Sequence, residues 1–302
     1  MKKKISIIAS FYNEVENINE FITRTINSFK KLRQVDYELI FIDDFSNDSS
    51  NILIKKASKK NKKIKLIRLK KNYGSDPSIQ TGFDFVSNRN YAAVIDCDLQ
   101  EAPELIAQNF SKIIDKQTIH FVRKKREDPL FQRFYTNLAY KFLHFISGKK
   151  IIINTNHFKI IPPHVVKKIK RNTEIHPYWN YLFTKFSTQN KISYYVKKKR
   201  IHGSSKFNIF TLNPWIAFFS GIHCFRKRFI NIILSLLLVN VLILILTFYK
   251  FYSVVLILFL ILFSCLLITN LAICNYVMYY KRKNKRIFCK YKYILRNFVI
   301  SC

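Results

Sequence analysis

Five short apolar runs limit what this chain can fold into: Lys4–Ala9, Tyr37–Ile42, Ile64–Leu69, Tyr91–Ile95 and Ile119–Val122. Each stops at polar or charged residues. Between them lie segments of helical spacing, as in Val15, Ile18, Phe21, Ile22 and Ile26. Strands that are apolar throughout and alternate with helices predict an α/β fold, a mostly parallel sheet with helices on both faces. In such sheets ligands bind beyond the carboxyl ends of the strands. Here those ends carry Ser10 and Asn13, Asp43 and Asp44, Asn72, Asp96 and Asp98, and Arg123.

The fourth run leads straight into Asp96-Cys97-Asp98-Leu99-Gln100, with Pro103-Glu104 behind it. Side chains alternate along an extended chain, so Asp96 and Asp98 share one side and Cys97 faces away. Two hard oxygen ligands at a buried strand end suit Mg²⁺ or Mn²⁺ carrying a phosphorylated substrate. The plainer alternative is that these aspartates only cap the following helix. No GxGxxG or GxxxxGK[ST] occurs, and with five glycines in all there is no phosphate-cradling loop. That counts against a dinucleotide oxidoreductase and a P-loop NTPase. Phosphates here need a metal and basic side chains.

The net charge of +34 is compatible with nucleic acid, an anionic membrane face or phosphorylated substrates. Lysine is spread along nearly the whole chain, so part of the charge is background composition. An acidic pair at the expected ligand edge would repel nucleic acid, and no nucleic-acid partner is expected. The six cysteines show neither CxxC nor zinc spacing, which favours a reducing compartment.

Residues 229–249 and 253–278 are each long and apolar enough to cross a hydrocarbon core, which takes about 20 residues. Arg226-Lys227-Arg228 precedes the first, Lys281-Arg282-Lys283-Asn284-Lys285-Arg286 follows the second, and the connector holds only Lys250. The positive-inside rule then places both termini in the cytoplasm of a multi-pass inner (plasma) membrane protein. The expected layout is a cytoplasmic domain over 1–225, a two-helix hairpin in the lipid bilayer, and a basic tail over 279–302. Residues 208–225, with Trp215, read as an interfacial helix.

The motifs, in order, resemble family 2 glycosyltransferases of the GT-A fold, in the branch of polyprenyl- and dolichol-phosphate sugar transferases. Ser10-Phe-Tyr-Asn-Glu-Val-Glu-Asn-Ile18 is similar to that family's S-x-Y-N-E-x-x-N-I, and Asp43-Asp-Phe-Ser-Asn-Asp48 to its V-D-D-G-S-x-D. Lys71-Asn-Tyr-Gly74 with Gly82 follows R-N-x-G…G, and Asp96 to Glu104 follows D-x-D-L-Q-x-x-P-E. Arg123-Lys-Lys-Arg126 with Phe134-Tyr135, and Arg200-Ile-His-Gly-Ser-Ser-Lys-Phe207, resemble two further blocks.

The resemblance implies that Ala9, Phe11, Asn13, Asp43 and Asp44 frame the base and ribose of a nucleotide-sugar donor. It implies that Asp96 and Asp98 hold Mg²⁺ or Mn²⁺ on the diphosphate, with Gln100 beside them. Arg123, Arg126 and Arg133 would grip phosphate through planar guanidinium groups, suiting a polyprenyl-phosphate acceptor. Arg200, Ser205 and Lys206 would close over the donor, with Gly203 giving the loop freedom to turn.

Three departures stand out. Phe45 replaces the glycine of V-D-D-G-S. Asn154-Thr-Asn-His157-Phe-Lys159 stands where relatives read N-x-G-D-F-R, whose aspartate is the proposed base. That leaves His157 as base, no base at all, or a weakened enzyme. Asp76-Pro77 is a third departure, bearing on donor choice. The expected activity is inverting transfer of a sugar to a polyprenyl phosphate at the cytoplasmic face, for cell-surface glycan synthesis or modification. Transfer to a hydroxyl of a lipid-linked glycan, and a diverged, catalytically weak membrane protein, are the alternatives. Two spans are too few for a flipping channel, so translocation would need a separate flippase. A homo-oligomer stays open.

Overall fold

The computed structural model describes residues 2–124, 130–148, 151–172, 177–198, 218, 220–222, 224–250, 258, 260–269 and 272. Seven strands form one sheet: β1 (Lys3–Phe11), β2 (Val35–Asp43), β3 (Ile64–Arg68), β4 (Tyr91–Asp96), β5 (Gln117–Arg123), β6 (Thr155–Ile161) and β7 (Gln189–Tyr195). Their order is β3-β2-β1-β4-β6-β5-β7. The pairs β1/β2, β1/β4, β2/β3 and β5/β7 are parallel, whereas β6 runs antiparallel to β4 and β5. The five apolar runs are therefore strands, and the sheet is mixed. The sequence reading had no β6 or β7. β6 opens on the polar stretch Thr155-Asn-His157, and β7 is an edge strand of which only Tyr195 is buried.

One face is covered by α1 (Val15–Lys30) and α4 (Glu104–Phe110). Ile18, Phe21 and Phe29 of α1 and Ile106 and Phe110 of α4 pack onto Ile7, Phe41, Ile95 and Phe121. Against the other face lie α3 (Ser75–Phe85), α6 (Pro163–Lys170) and α7 (Trp179–Phe186). There Phe83, Trp179 and Phe183 meet Ile8, Ile40 and Val94. Full burial of each such side chain stabilises by about 1.5–3 kcal/mol. Gly82 permits the close approach of α3 to β1, because a Cβ there would overlap the Ile8 side chain. The remaining helices are α2 (Ser50–Lys60), α5 (Leu130–Ile146) and α8 (Arg226–Lys250).

A third apolar cluster joins Leu143 and Ile146 of α5 and Ile151 to Ile222, Phe225, Phe229 and Ile233. It fixes the start of α8 on the sheet domain. Among the described residues no helix is long and apolar enough to cross a membrane, so the hairpin expected over 229–249 and 253–278 is not established by them. α8 is nonetheless continuous over 25 residues. It exposes Leu234, Leu236, Leu238, Val239, Val241 and Leu242. Asn240 Nδ2 donates to the Leu260 carbonyl at 3.4 Å, linking the two apolar segments. Trp215 and most of the expected interfacial helix lie outside the described residues.

Candidate active site at the carboxyl edge of the sheet

The register of the parallel strands lines up their ends. Ser10 lies opposite Asp96, Phe11 opposite Asp43, and Asp43 opposite Arg68. Four non-glycine residues with positive φ follow or precede these ends: Asn13 (55°), Phe45 (69°), Leu99 (58°) and Asn154 (59°). Backbone strain of this kind gathers at functional edges. Phe45 thus keeps the left-handed turn that glycine would allow, with the Arg68 guanidinium 5.2 Å over its ring. Left-handed backbone costs a residue bearing a Cβ about 1–2 kcal/mol. Phe45→Gly should therefore exceed Phe45→Ala in stability by about 1 kcal/mol, read from their urea unfolding midpoints. Equal midpoints would mean that the turn is unstrained.

Ala9 and Phe11 are buried on β1, and Asn13 Oδ1 accepts the Asn47 N–H at 2.8 Å. Asp43 is wholly buried. Its Oδ1 accepts the Ser46 N–H at 2.7 Å, and its Oδ2 lies 3.2 Å from Arg68 Nε. Asp44 accepts the N–H groups of Tyr73 and Gly74, each at 2.8 Å, tying the loop after β3 to the end of β2. Burial raises its pKa to about 6 against those hydrogen bonds. Asp48 accepts Ser50 N–H at 3.0 Å and Val15 N–H at 3.1 Å, serving the starts of α2 and α1 together.

At the end of β4, Asp98 is buried and its Oδ1 accepts the Gln100 N–H at 3.2 Å. His157, on β6, brings Nε2 to 3.1 Å from Asp96 Oδ1. Burial opposes a charge on His157, but Asp96, helped by Glu101 and Asp76, outweighs it and raises the pKa to about 9. Asp96 is held below the usual carboxylate range: burial pushes upward, and His157, Lys197 and Arg123 together outweigh it. The His157 ring thus holds its proton more tightly than a free histidine does, through the carboxylate beside it. Asp76 accepts a hydrogen bond from Trp179 Nε1 at 3.0 Å.

The turn after β4 and the segment after β7 meet across the site. Gln100 O accepts Lys198 N–H at 2.9 Å, and Gln100 Nε2 reaches Lys198 O at 3.4 Å. This pins the start of the segment leading to Arg200. Arg123 donates from Nε to the Tyr195 hydroxyl at 3.1 Å, and its Nη2 lies 3.9 Å from Glu101 Oε1. Arg133 is exposed on α5. Arg126, Arg200, Ser205 and Lys206 lie outside the described residues.

Sequence reasoning missed Glu101, Asn156, Tyr195 and Lys197. Glu101 occupies a variable position of its motif, and Lys197 is masked by the run Lys197-Lys-Lys-Arg200. Burial lowers the Lys197 pKa, with Arg123 adding to that and Glu101, Asp98 and Asp96 opposing it, so the ammonium sits among the charges of the site.

Among the described residues no group of three His, Cys, Asp or Glu side chains could hold a metal. The donors on the β4 turn are the Asp96 and Asp98 carboxylates and the Gln100 amide oxygen. All are hard oxygens, and as a donor set they fit Mg²⁺ or Mn²⁺.

The chain is 26% identical over 227 residues to a glycosyltransferase of Synechocystis sp., covering 74% of this chain and 70% of that protein. It is 27% identical over 224 residues to the bactoprenol glucosyl transferase of Shigella phage SfV, covering 74% and 72%. A mannosyltransferase from Pyrobaculum calidifontis, solved with GDP-Man and Mn²⁺, aligns at 13% identity and a TM-score of 0.48 over 77% of this chain and 65% of that one. That is too remote for residue-level correspondence. Residues 6–170, more than half of the chain, match the family described as Glycosyl transferase family 2. The chain belongs to that family and is a glycosyltransferase.

Proposed function

We propose that the protein moves a sugar from a nucleotide-diphosphate sugar to a polyprenyl phosphate, with inversion, at the cytoplasmic face of the inner membrane. The observation that carries this reading is the opposition, on one sheet edge, of an acidic turn and a basic residue. Asp96, Asp98 and Gln100 lie on one side, and Arg123 is held by Tyr195 on the other. The kinship to a bactoprenol glucosyl transferase supports the acceptor class.

In this reading Ala9, Phe11, Asn13, Asp43 and Asp44 frame the nucleoside, Asp96 and Asp98 hold Mg²⁺ or Mn²⁺, and Gln100 contacts the donor beside them. The ion, when bound, would take up charge on the departing diphosphate. Arg123, with Arg126 and Arg133, orients the lipid phosphate. One phosphate oxygen attacks the anomeric carbon as the bond from that carbon to the diphosphate oxygen breaks, releasing the nucleoside diphosphate. A phosphate oxygen is already anionic near neutrality, so no base is required. The exposed leucines of α8 support tethering to the bilayer, where the lipid acceptor resides.

The test is a donor screen on the purified full-length chain. UDP-glucose, UDP-GlcNAc and GDP-mannose, each labelled in the sugar, are offered with undecaprenyl phosphate and Mn²⁺ or Mg²⁺. One donor should give a chloroform-extractable labelled lipid that disappears with EDTA. No labelled lipid from any nucleotide sugar would overturn the reading. Calorimetric silence toward donor and Mn²⁺ would mark a non-catalytic relative instead.

A further inference from the structure

A carboxylate with no assigned role lies beneath the site. Glu101 is 1% exposed. Its Oε1 accepts hydrogen bonds from Asn156 Nδ2 at 2.8 Å and from the Tyr195 hydroxyl at 3.0 Å. Its Oε2, equally buried, makes no hydrogen bond among the described residues. Burying a carboxylate costs several kcal/mol before compensation, and apolar residues of similar volume would fill such a space at no loss of stability. The residues that compensate this one all belong to the catalytic edge.

On one branch, Asn156 is bracketed. Its Nδ2 is bound to Glu101 and its Oδ1 accepts the Phe158 N–H at 3.1 Å. The residue between Asn156 and Phe158 is His157, whose ring meets Asp96 at 3.1 Å. On the other branch, the Tyr195 hydroxyl donates to Glu101 and accepts from Arg123 Nε. The Tyr195 ring is locked edge-on against Phe121 and Phe158, with centroids 6.5 and 5.5 Å away. A guanidinium held at Nε by a fixed hydroxyl keeps its outer nitrogens in one plane.

We infer that Glu101 is a positioning residue for the transfer reaction, setting His157 against Asp96 through Asn156 and aiming Arg123 through Tyr195. The Arg123 branch rests on the proposed acceptor reading, whereas the His157 branch does not. One buried carboxylate thereby couples the acidic side of the cleft to its basic side. The two branches separate by mutation. Tyr195→Phe removes one oxygen and keeps the ring packing, whereas Glu101→Gln keeps an acceptor oxygen but removes the charge that strengthens both hydrogen bonds, and so weakens both branches.

The experiment uses the full-length chain with ¹³C-labelled histidine rings, the His157 resonance being assigned by its loss in His157→Gln. Calorimetry with farnesyl phosphate reports the Arg123 branch. Tyr195→Phe should weaken farnesyl phosphate about 10-fold, the loss of one hydrogen bond to a charged group, and leave the His157 resonance in place. Glu101→Gln should weaken farnesyl phosphate by a similar factor and also shift the His157 resonance. In the transfer assay both should lower kcat or acceptor affinity with donor KM within about twofold of wild type.

The inference is overturned if Tyr195→Phe binds farnesyl phosphate like wild type, or if Glu101→Gln leaves the His157 resonance unmoved. If Glu101→Gln does not fold, Tyr195→Phe decides by itself. Wild type that binds no farnesyl phosphate would sink the Arg123 branch together with the acceptor reading. The resonance would still report on the His157 branch.

Discussion

Asp98→Asn should lower kcat/KM for sugar transfer by about 10²–10³-fold, the cost of removing one group that stabilises developing charge. That corresponds to roughly 3–4 kcal/mol of transition-state stabilisation. The melting temperature should stay within a few degrees of wild type, because asparagine keeps the shape of the buried side chain and its Oδ1 still accepts the Gln100 N–H at 3.2 Å. Steady-state kinetics with Mn²⁺ and a thermal melt measure the two quantities. A variant retaining more than a tenth of the activity would remove Asp98 from the donor site. Asp96 is the less clean target: its carboxylate is also the counter-charge of His157, so its loss moves stability and activity together.

The second large effect is a pH dependence of stability. The folded protein raises His157 from 6.5 to about 9, chiefly through Asp96 working against burial, with Glu101 and Asp76 adding to the same sense. The folded state holds this proton more tightly than the unfolded chain does. The stabilisation is therefore complete below pH 6.5 and is lost as pH rises through 9. At about 1.4 kcal/mol per pH unit the full loss reaches about 3 kcal/mol. Urea unfolding in metal-free buffer from pH 6 to 10 should show wild type falling across this window and His157→Gln nearly flat. Parallel curves would mean that the pair does not form. Asp44, raised to about 6 by burial, also loses stability with rising pH, but between about 4 and 6, so the windows separate.

Local chemistry made much of the site readable. The strand ends could be placed because strands buried on both faces must be apolar along their length, so the polar residue after each marks the edge. Asp96, Asp98 and Gln100 lie within five residues and could be picked out together, but the strand ends at Asp96 and Leu99 takes a φ of 58°, so the alternation of an extended chain does not carry through this turn. The role of Phe45 was only half readable. Its departure from glycine was visible, whereas the retained φ of 69° is a property of the folded turn.

The contacts that define the rest of the site span the chain. His157 meets Asp96 across 61 positions, and Tyr195 meets Glu101 across 94. Both depend on β6 running antiparallel between β4 and β5 and on β7 closing the edge beside β5. β6 opens on polar residues and β7 is mostly exposed, so neither carries the unbroken apolar run that announced the other five. Arg123 was expected to face only a phosphate, and its Nε is bound to Tyr195. His157 was weighed as a base, and what only the fold shows is the Asp96 carboxylate 3.1 Å from its ring, which raises its pKa.

The residues by themselves determined the alternating fold, the edge where ligands gather and the acidic turn on it, because each follows from burial and periodicity within a few residues. Only the tertiary structure decided which charges face one another. Protonation and aim are set by groups brought within about 3 Å by distant strands, at which range a buried partner outweighs anything local.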